Sequence, residues 1–169
     1  MTLRKDIASW DTKSAAAITR VYARHMDRPS FLADVVELIG NPETEVGASW
    51  LLKHHFDEGG NPLGDKLVNQ IYASLPRLDH WAARLHILQC MECLPIPSTH
   101  RQKTAAFVAG CLQSETKLVR AWAFTGLFVL GQRFPSCRED AEQQIRHAVE
   151  NDPVASVRAR CRQLLKKMC

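Results

Sequence analysis

The chain has 169 residues, of which 46% are hydrophobic and 24% charged, a composition typical of one folded domain and unlike that of a disordered chain. Its formal charge of +4 permits an acidic protein or a nucleic acid as partner and requires neither. The uncharged stretch 121–131 is far shorter than a membrane span, and residues 1–10 lack the apolar segment of a secretion signal. We therefore expect a cytoplasmic protein without membrane contact.

Prolines divide the chain into segments of helical length. All eight prolines fall where a helix would begin or end, because proline lacks an amide N–H and clashes with the preceding turn inside a helix. The segments between them are rich in alanine, leucine, glutamine, arginine and lysine, which favour helix. The pattern predicts nine helices, near residues 14–27, 29–40, 43–57, 64–75, 79–94, 98–113, 116–133, 138–150 and 154–168.

Six cysteines raise the question of metal or redox chemistry. In a chain without a secretion signal they read as reduced thiols, most of them small core residues. Cys90 and Cys93 form a C-x-x-C pair near the C-terminal end of a predicted helix, where the helix dipole disfavours a thiolate, and no second pair follows. No nucleophile elbow, phosphate-binding loop or zinc-protease motif occurs. The sequence thus predicts no catalytic residue, no cofactor and no metal site.

A fourfold internal repeat is the most specific feature of the sequence. Segments that begin at Val46, Trp81, Val119 and Val157 align without gaps, at intervals of 35, 38 and 38 residues. In each segment an apolar anchor is followed by an alanine two residues later and by an apolar residue four residues later. The small residue would let neighbouring helices approach closely, and the apolar stripe would face the next helix pair, so the pattern predicts stacked helix pairs with a shared core. The alanines are Ala48, Ala83, Ala121 and Ala159.

Two of the four segments resemble the inner helix of the HEAT repeat family. The triplet Val-Arg-Ala stands at 119–121 and again at 157–159, each time followed by small and apolar residues at helical spacing. This is similar to the family pattern Val-Arg-x-x-Ala-x-x-Ala-Leu. The resemblance covers roughly residues 29–168.

The resemblance implies an all-α fold, an α-α superhelix of the ARM/HEAT type. It would contain about four HEAT-like helix pairs and one further helix at the N-terminus. We therefore expect an N-terminal helix or cap over 1–28 and a HEAT-like repeat domain over 29–169. The first repeat departs from the pattern, because Gly47 replaces the arginine.

The inner helices of such a stack line a concave groove, and here they carry five arginines that could face it. A basic groove would bind phosphate or an acidic peptide. The alternative is structural: Arg120 and Arg158 occupy the family's arginine position, which ties neighbouring repeats together, and the others would form the solvated face of a terminal helix. The candidate groove and partner-binding residues are Arg84, Arg120, Trp122, Arg158, Arg160 and Arg162.

Three tryptophans also fall on the inner helices. Trp81 stands at an anchor position, which predicts a core residue. Trp50 stands four residues after an anchor, also within the predicted stripe. Trp122 lies off the stripe and is the tryptophan expected to be exposed for stacking on a base or a peptide side chain.

The fold indicates first a non-catalytic interaction module that binds a protein, because helical repeats mostly present an extended surface to another macromolecule. The alternative is a nucleic-acid-binding protein, since segments 78–84 and 119–124 are similar to inner helices of HEAT-like alkylpurine DNA glycosylases. That family requires a tryptophan-lined cleft with a carboxylate, and no aspartate follows Trp50 by one helical turn. A third class among HEAT-like proteins, lyases or chaperones for a prosthetic group, has no recognisable pocket in this sequence. The sequence leaves the partner and the oligomeric state open.

Overall fold

Ten α-helices form most of the fold in the computed structural model, which describes residues 2–168. No strand occurs between these residues, so the predicted all-helical class is confirmed. None of the described helices is long and apolar enough to cross a bilayer. The helices are α1 (Leu3–Ala8), α2 (Ala15–His25), α3 (Phe31–Ile39), α4 (Glu45–Asp57), α5 (Asp65–Ser74), α6 (Trp81–Cys90), α7 (Arg101–Leu112), α8 (Lys117–Arg133), α9 (Pro135–Asn151) and α10 (Ala155–Met168), with 3-10 turns at Leu75–Arg77, Met91–Cys93 and Ser98–His100.

The helices follow the predicted segments with three differences. A short helix, α1, precedes the nine that the prolines mark out. The helix predicted over 79–94 ends at Cys90 and continues as a 3-10 turn. The helix predicted from residue 138 begins earlier, at Pro135, because proline is well accommodated in the first turn, where its missing N–H has no partner to lose.

Four helices pack against each other in chain order and form a row: α4 on α6, α6 on α8, and α8 on α10. Helices α2 and α3 pack on α4, α7 packs on α8, and α9 packs on both α8 and α10, while α5 packs on α3 and α7. At the N-terminal end α1 packs on α2, α3 and α4, and one hydrophobic core runs from Leu3 to Leu164. The division of the chain at residue 28 stays a prediction, and its outermost residues, Met1 and Cys169, lie outside the described part.

In the first half of the row, which consists of α4 and α6, the buried residues do not fall at the predicted anchor positions. In α8 and α10 the anchors Val119 and Val157 are buried, as expected. In α4 and α6 the equivalent buried residues lie two positions after the expected anchors, so the recurrence is 35, 36 and 38 residues. Each anchor is followed four residues later by another fully buried side chain. The buried pairs are Ala48 with Leu52, Ala83 with Ile87, Val119 with Ala123, and Val157 with Cys161.

The prediction that Trp81 belongs to the core is wrong. Trp81 is the first residue of α6, and its side chain is 48% exposed. The residues that follow it in the first turn are buried, with Ala82 9% exposed and Ala83 fully buried. The fourth predicted small residue also departs from its expected place, because Ala159 of α10 is exposed while Ala121 of α8 is buried.

Gly126 allows three helices to converge at the centre of the row. A Cβ atom at this position of α8 would lie 2.8 Å from Cγ2 of Val108 on α7. It would also lie 3.2 Å from Cδ2 of Leu88 and 3.2 Å from Sδ of Met91. Valine is branched at Cβ and cannot swing aside freely, so the packing has no room for a methyl group here.

We expect Gly126→Ala to destabilise the protein by about 1–3 kcal/mol, the usual range for overpacking a core. Gly110 of α7 is the matched control, because it is exposed and a Cβ added there meets nothing within 4 Å. Gly110→Ala should instead stabilise by about 0.5–1 kcal/mol through helix propensity. Urea unfolding followed by circular dichroism measures both changes. The same sign for the two substitutions would contradict the close approach at Gly126.

Candidate interaction surface

Three of the predicted groove arginines bind to loops of their own chain. The guanidinium of Arg84 donates through Nε to the carbonyl of Leu78, at 2.9 Å. That of Arg158 donates to the carbonyl of Asp152 at 2.6 Å, and Arg120 pairs with the Asp152 carboxylate at 3.0 Å. These contacts fix the loops that precede α6 and α10. They favour the structural role that the sequence left open for Arg120 and Arg158.

The other three candidates lie at the end of the row. Arg160 of α10 covers the ring of Trp122 on α8, with its guanidinium carbon 3.5 Å from the ring centre, a close cation–π contact. Partial burial lowers the pKa of Arg160. Arg162 is exposed on α10. Trp122 is therefore half-buried beneath an arginine, and it does not offer the open ring face that the sequence predicted.

The predicted candidates do not share one groove. Arg120 lines a cavity of about 510 Å³ between α8 and α9, together with Phe124 and His147. Arg84 lines another of about 320 Å³ beside α7, together with Lys103 and Phe107. The basic surface expected from the sequence is thus divided between separate places.

Three tryptophans instead converge on a groove of about 400 Å³ at the N-terminal end of the row. Two of them, Trp50 and Trp81, come from α4 and α6, and the third, Trp10, comes from the segment between α1 and α2. We call this site the indole groove. Its lining residues are Trp10, Thr12, Lys13, Ala15, Val46, Trp50, His80, Trp81, Ala82 and His86.

Trp10 is held in place by the segment that joins α1 to α2. Its indole N–H donates to the carbonyl of Ser14, at 2.9 Å. The Asp11 carboxylate accepts from the backbone N–H groups of Lys13 and Ser14, and Thr12 adopts a left-handed backbone with φ of 59°. Such a conformation is strained for a β-branched residue and persists only where the surroundings enforce it.

Gly47 lets α1 and Trp10 lie directly on α4. A Cβ at Gly47 would be 2.6 Å from Cγ2 of Ile7 and 3.5 Å from Cε3 of Trp10. The glycine that departs from the repeat pattern therefore has a clear role, since an arginine at this position would displace α1. This close contact brings Trp10 to the edge of the row.

A buried ion pair fixes α1 to α2. Asp6 is 3% exposed, and its carboxylate contacts Nε2 of His25 at 2.7 Å and the guanidinium of Arg24 at 3.0 Å. The hydrogen bond from His25 is the main cause that holds the pKa of Asp6 below its ordinary value, with Arg24 adding to it. The ionised carboxylate thus stabilises the segment that carries Trp10.

Trp81 is exposed but firmly placed, because the start of α6 is bound to α4. The buried Glu45 of α4 accepts from the backbone N–H of His80 at 2.8 Å and from that of Asp79 at 3.2 Å. His80 is the N-cap of α6, and its Nδ1 accepts from the N–H of Ala82 at 3.1 Å. Trp81 therefore presents its ring from a fixed backbone.

The other wall of the groove is an aromatic stack on α4. The rings of Trp50 and His54 are stacked, with centres 4.7 Å apart, and Tyr22 meets His54 edge-on at the same distance. Trp50 is half-buried and packs against the core on one side while it lines the groove on the other.

His86 lies in the groove as a neutral imidazole. Its Nδ1 is 3.0 Å from Oγ of Ser49, which also lies 3.1 Å from the carbonyl oxygen of Val46. Burial lowers the pKa of His86 to about 4. Lys13 is the one permanently charged residue among those that line the groove, and no carboxylate lines it within residues 2–168.

His86 makes stability depend on pH. Its pKa is lower in the folded protein than in the unfolded chain, so the unfolded chain takes up a proton first as the pH falls. The stability that burial of neutral His86 contributes is fully present above pH 6.5. It is lost as the pH falls from 6.5 to about 4. We expect wild type to lose about 2 kcal/mol more than His86→Gln between pH 7 and pH 5, from the linkage of one proton. Urea unfolding at both values measures this, with the exposed His147→Gln as control. Equal pH dependence in all three proteins would contradict the burial of His86.

Outside the indole groove, the side chains that could bind a metal ion or act as nucleophiles form no second site within residues 2–168. The part of the chain that the structure describes contains no group of three histidine, cysteine or acidic side chains placed to hold a metal ion. Burial raises the pKa of the Cys90 thiol, and it raises that of Cys111 to about 11, which makes both poor nucleophiles. Cys169 lies outside the described residues.

Comparison with known proteins identifies no family for this chain. No protein-family model matches it, and neither curated proteins nor solved structures give a significant match. The function is therefore inferred from the chain's own residues and their geometry.

Proposed function

We propose that the chain is a HEAT-like α-α repeat protein that acts as a non-catalytic interaction module and binds another protein. The binding surface would be the face of the α4–α6–α8–α10 row that carries the indole groove. The repeat assignment is supported by the recurrence of buried pairs at intervals of 35, 36 and 38 residues and by the packing of these helices in chain order.

The observation that carries the proposal is the exposure of Trp81 beside two further tryptophans. Leaving a large apolar residue 48% exposed costs free energy, and here the backbone that precedes Trp81 is held by the hydrogen bonds of Glu45. Tryptophan is enriched at the centres of protein interfaces, where it supplies much of the binding energy. A fixed cluster of Trp10, Trp50 and Trp81 therefore fits a protein partner better than a solvated surface.

Affinity capture with matched variants tests this function. The immobilised chain is compared with a face variant, Trp81→Ala, and with a control on the exposed surface of α9, Arg138→Ala/Glu139→Ala. Bound proteins are measured by quantitative mass spectrometry. We expect a set of proteins that binds wild type and the α9 control and is lost from the face variant. The same proteins bound equally to all three baits would contradict the proposal.

Nucleic-acid binding is the second candidate, and the observation that favours it is the basic character of α10, which contains arginines and lysines and no acidic residue. Exposed Arg162 and Lys166 continue the positive charge along α10. Fluorescence anisotropy of labelled DNA and RNA across a range of salt tests this candidate. Binding that weakens steeply with salt and is lost in Arg160→Glu/Arg162→Glu would replace the protein-binding proposal.

A further inference from the structure

We propose that the indole groove binds a linear acidic segment of the partner protein, with one bulky apolar side chain seated among Trp10, Trp50 and Trp81 and a carboxylate on Lys13. This inference rests on the proposed function and names the site and the chemistry of the partner. The groove volume of about 400 Å³ lies within the ~300–1,000 Å³ range of sites that enclose a ligand group.

The walls of the groove are set before a ligand arrives. Trp10 is bound through Ser14, Trp50 is stacked on His54, and the start of α6 below Trp81 is bound by Glu45. A peptide side chain that enters would therefore order few groove residues, and binding to preformed sites loses less conformational entropy.

Hydrogen-bond donors dominate the polar lining. The indole N–H groups of Trp50 and Trp81 have no hydrogen-bond acceptor among residues 2–168, whereas that of Trp10 is used by Ser14. The Nδ1 of His80 accepts from a backbone N–H, which leaves Nε2 as the ring atom that can donate. Lys13 is the one permanently charged lining residue, and its charge also acts on the neighbouring carboxylate of Asp11. Carboxylates accept hydrogen bonds without donating any, and they are the natural complement of such a lining.

The charge distribution of the groove disfavours two other kinds of ligand that commonly bind among aromatic side chains. A methylated lysine or another organic cation would meet Lys13 without a carboxylate among the lining residues. A nucleic-acid strand needs a track of free cations for its successive phosphates. Three arginines along the row, Arg84, Arg120 and Arg158, are bound to loops, and the exposed Arg162 lies on α10, at the other end of the row from the groove. An acidic peptide needs only one cation for its carboxylate, and Lys13 is that cation in the groove.

Labelled peptides of defined charge test the inference. Two sets of fluorescent heptapeptides carry tryptophan, phenylalanine or leucine at the centre, flanked by aspartate and glutamate in one set and by lysine in the other. Fluorescence polarisation gives Kd for the full chain. We expect acidic peptides with an aromatic centre to bind at least about tenfold more tightly than their lysine counterparts, the difference of roughly one favourable ion pair against one repulsive contact.

Two tryptophan variants locate the binding. Trp81→Ala should weaken the best acidic peptide about tenfold or more, as expected for a central anchor. Trp122→Ala is the matched control, because it removes the same side chain from the neighbouring inner helix beneath Arg160, and it should change Kd less than about twofold. Thermal unfolding confirms that both variants are folded, which the 48% exposure of Trp81 favours. Equal effects of the two substitutions would overturn the inference.

Charge reversal tests the role of Lys13. Lys13→Glu should remove the preference for acidic peptides and favour the lysine set. No binding by either set, or an unchanged preference in Lys13→Glu, would overturn the inference. A single-stranded oligonucleotide that binds in a Trp81-dependent manner would also overturn it, in favour of nucleic acid. If captured proteins still depend on the face variant while no acidic peptide binds, the proposed function stands and this inference alone falls.

Discussion

Ala121→Glu is expected to unfold the protein or to lower its stability by about 3–5 kcal/mol, the cost of an uncompensated charge in a packed interior. Ala121 lies on α8, the helix at the centre of the row, and is 4% exposed. The longer side chain would have to displace neighbouring helices, and its carboxylate would lose water without gaining a partner. Thermal and urea unfolding followed by circular dichroism measure the loss.

Ala159→Glu is the matched control for this substitution. Ala159 holds the same place in the repeat on α10, but its side chain is exposed because no further helix covers that side of α10 within residues 2–168. We expect a change within about 0.5 kcal/mol there, as for ordinary surface substitutions. A tolerated Ala121→Glu, or equal losses at the two positions, would show that the row of helices is wrongly arranged.

Glu45→Ala should lower stability by about 2–4 kcal/mol, because a charged acceptor of two backbone hydrogen bonds is removed from a buried site. Glu45 is 3% exposed and binds the N–H groups of Asp79 and His80, which precede α6. Its loss would also release the helix start that carries Trp81. We therefore expect faster local motion of the Trp81 ring, measurable as a lower tryptophan fluorescence anisotropy.

Two further substitutions serve as comparisons for Glu45→Ala. Glu43→Ala removes an exposed carboxylate two residues earlier and should change stability by less than about 0.5 kcal/mol. Glu45→Gln keeps an acceptor oxygen and should lie between wild type and Glu45→Ala. A Glu45→Ala protein as stable as Glu43→Ala would contradict the bond between α4 and the start of α6.

The sequence predicts the helices well because the prolines mark their ends, and it predicts half of the buried register. Val119 and Val157 are true anchors, since each opens a helix whose stripe is continuous. The first half fails at Trp81, because a large apolar residue two positions before Ala83 imitates an anchor. The position of Trp81 in the first turn of α6 did not reveal the error, because the true anchors Val119 and Val157 also lie in the first turns of their helices.

The candidate site was predicted less well than the fold. The structural alternative for Arg120 depends on Asp152, and periodicity alone does not show which acid a given arginine reaches. Trp10 and Lys13 were not found because no helix was expected before residue 14, and the approach of α1 to Gly47 is a tertiary contact without a local pattern. Glycine in place of the repeat's arginine was the one visible sign that another segment comes close there.

Acrylamide quenching of tryptophan fluorescence, in wild type and in Trp81→Phe, tests the central claim that the Trp81 side chain is exposed at the binding surface. Trp81 is 48% exposed, whereas Trp10, Trp50 and Trp122 are half-buried. We expect Trp81→Phe to remove most of the readily quenched emission, to shift the remaining emission to shorter wavelength, and to leave the melting temperature nearly unchanged. Unchanged quenching together with a large loss of stability would show that Trp81 is a core residue, and the indole groove would not exist.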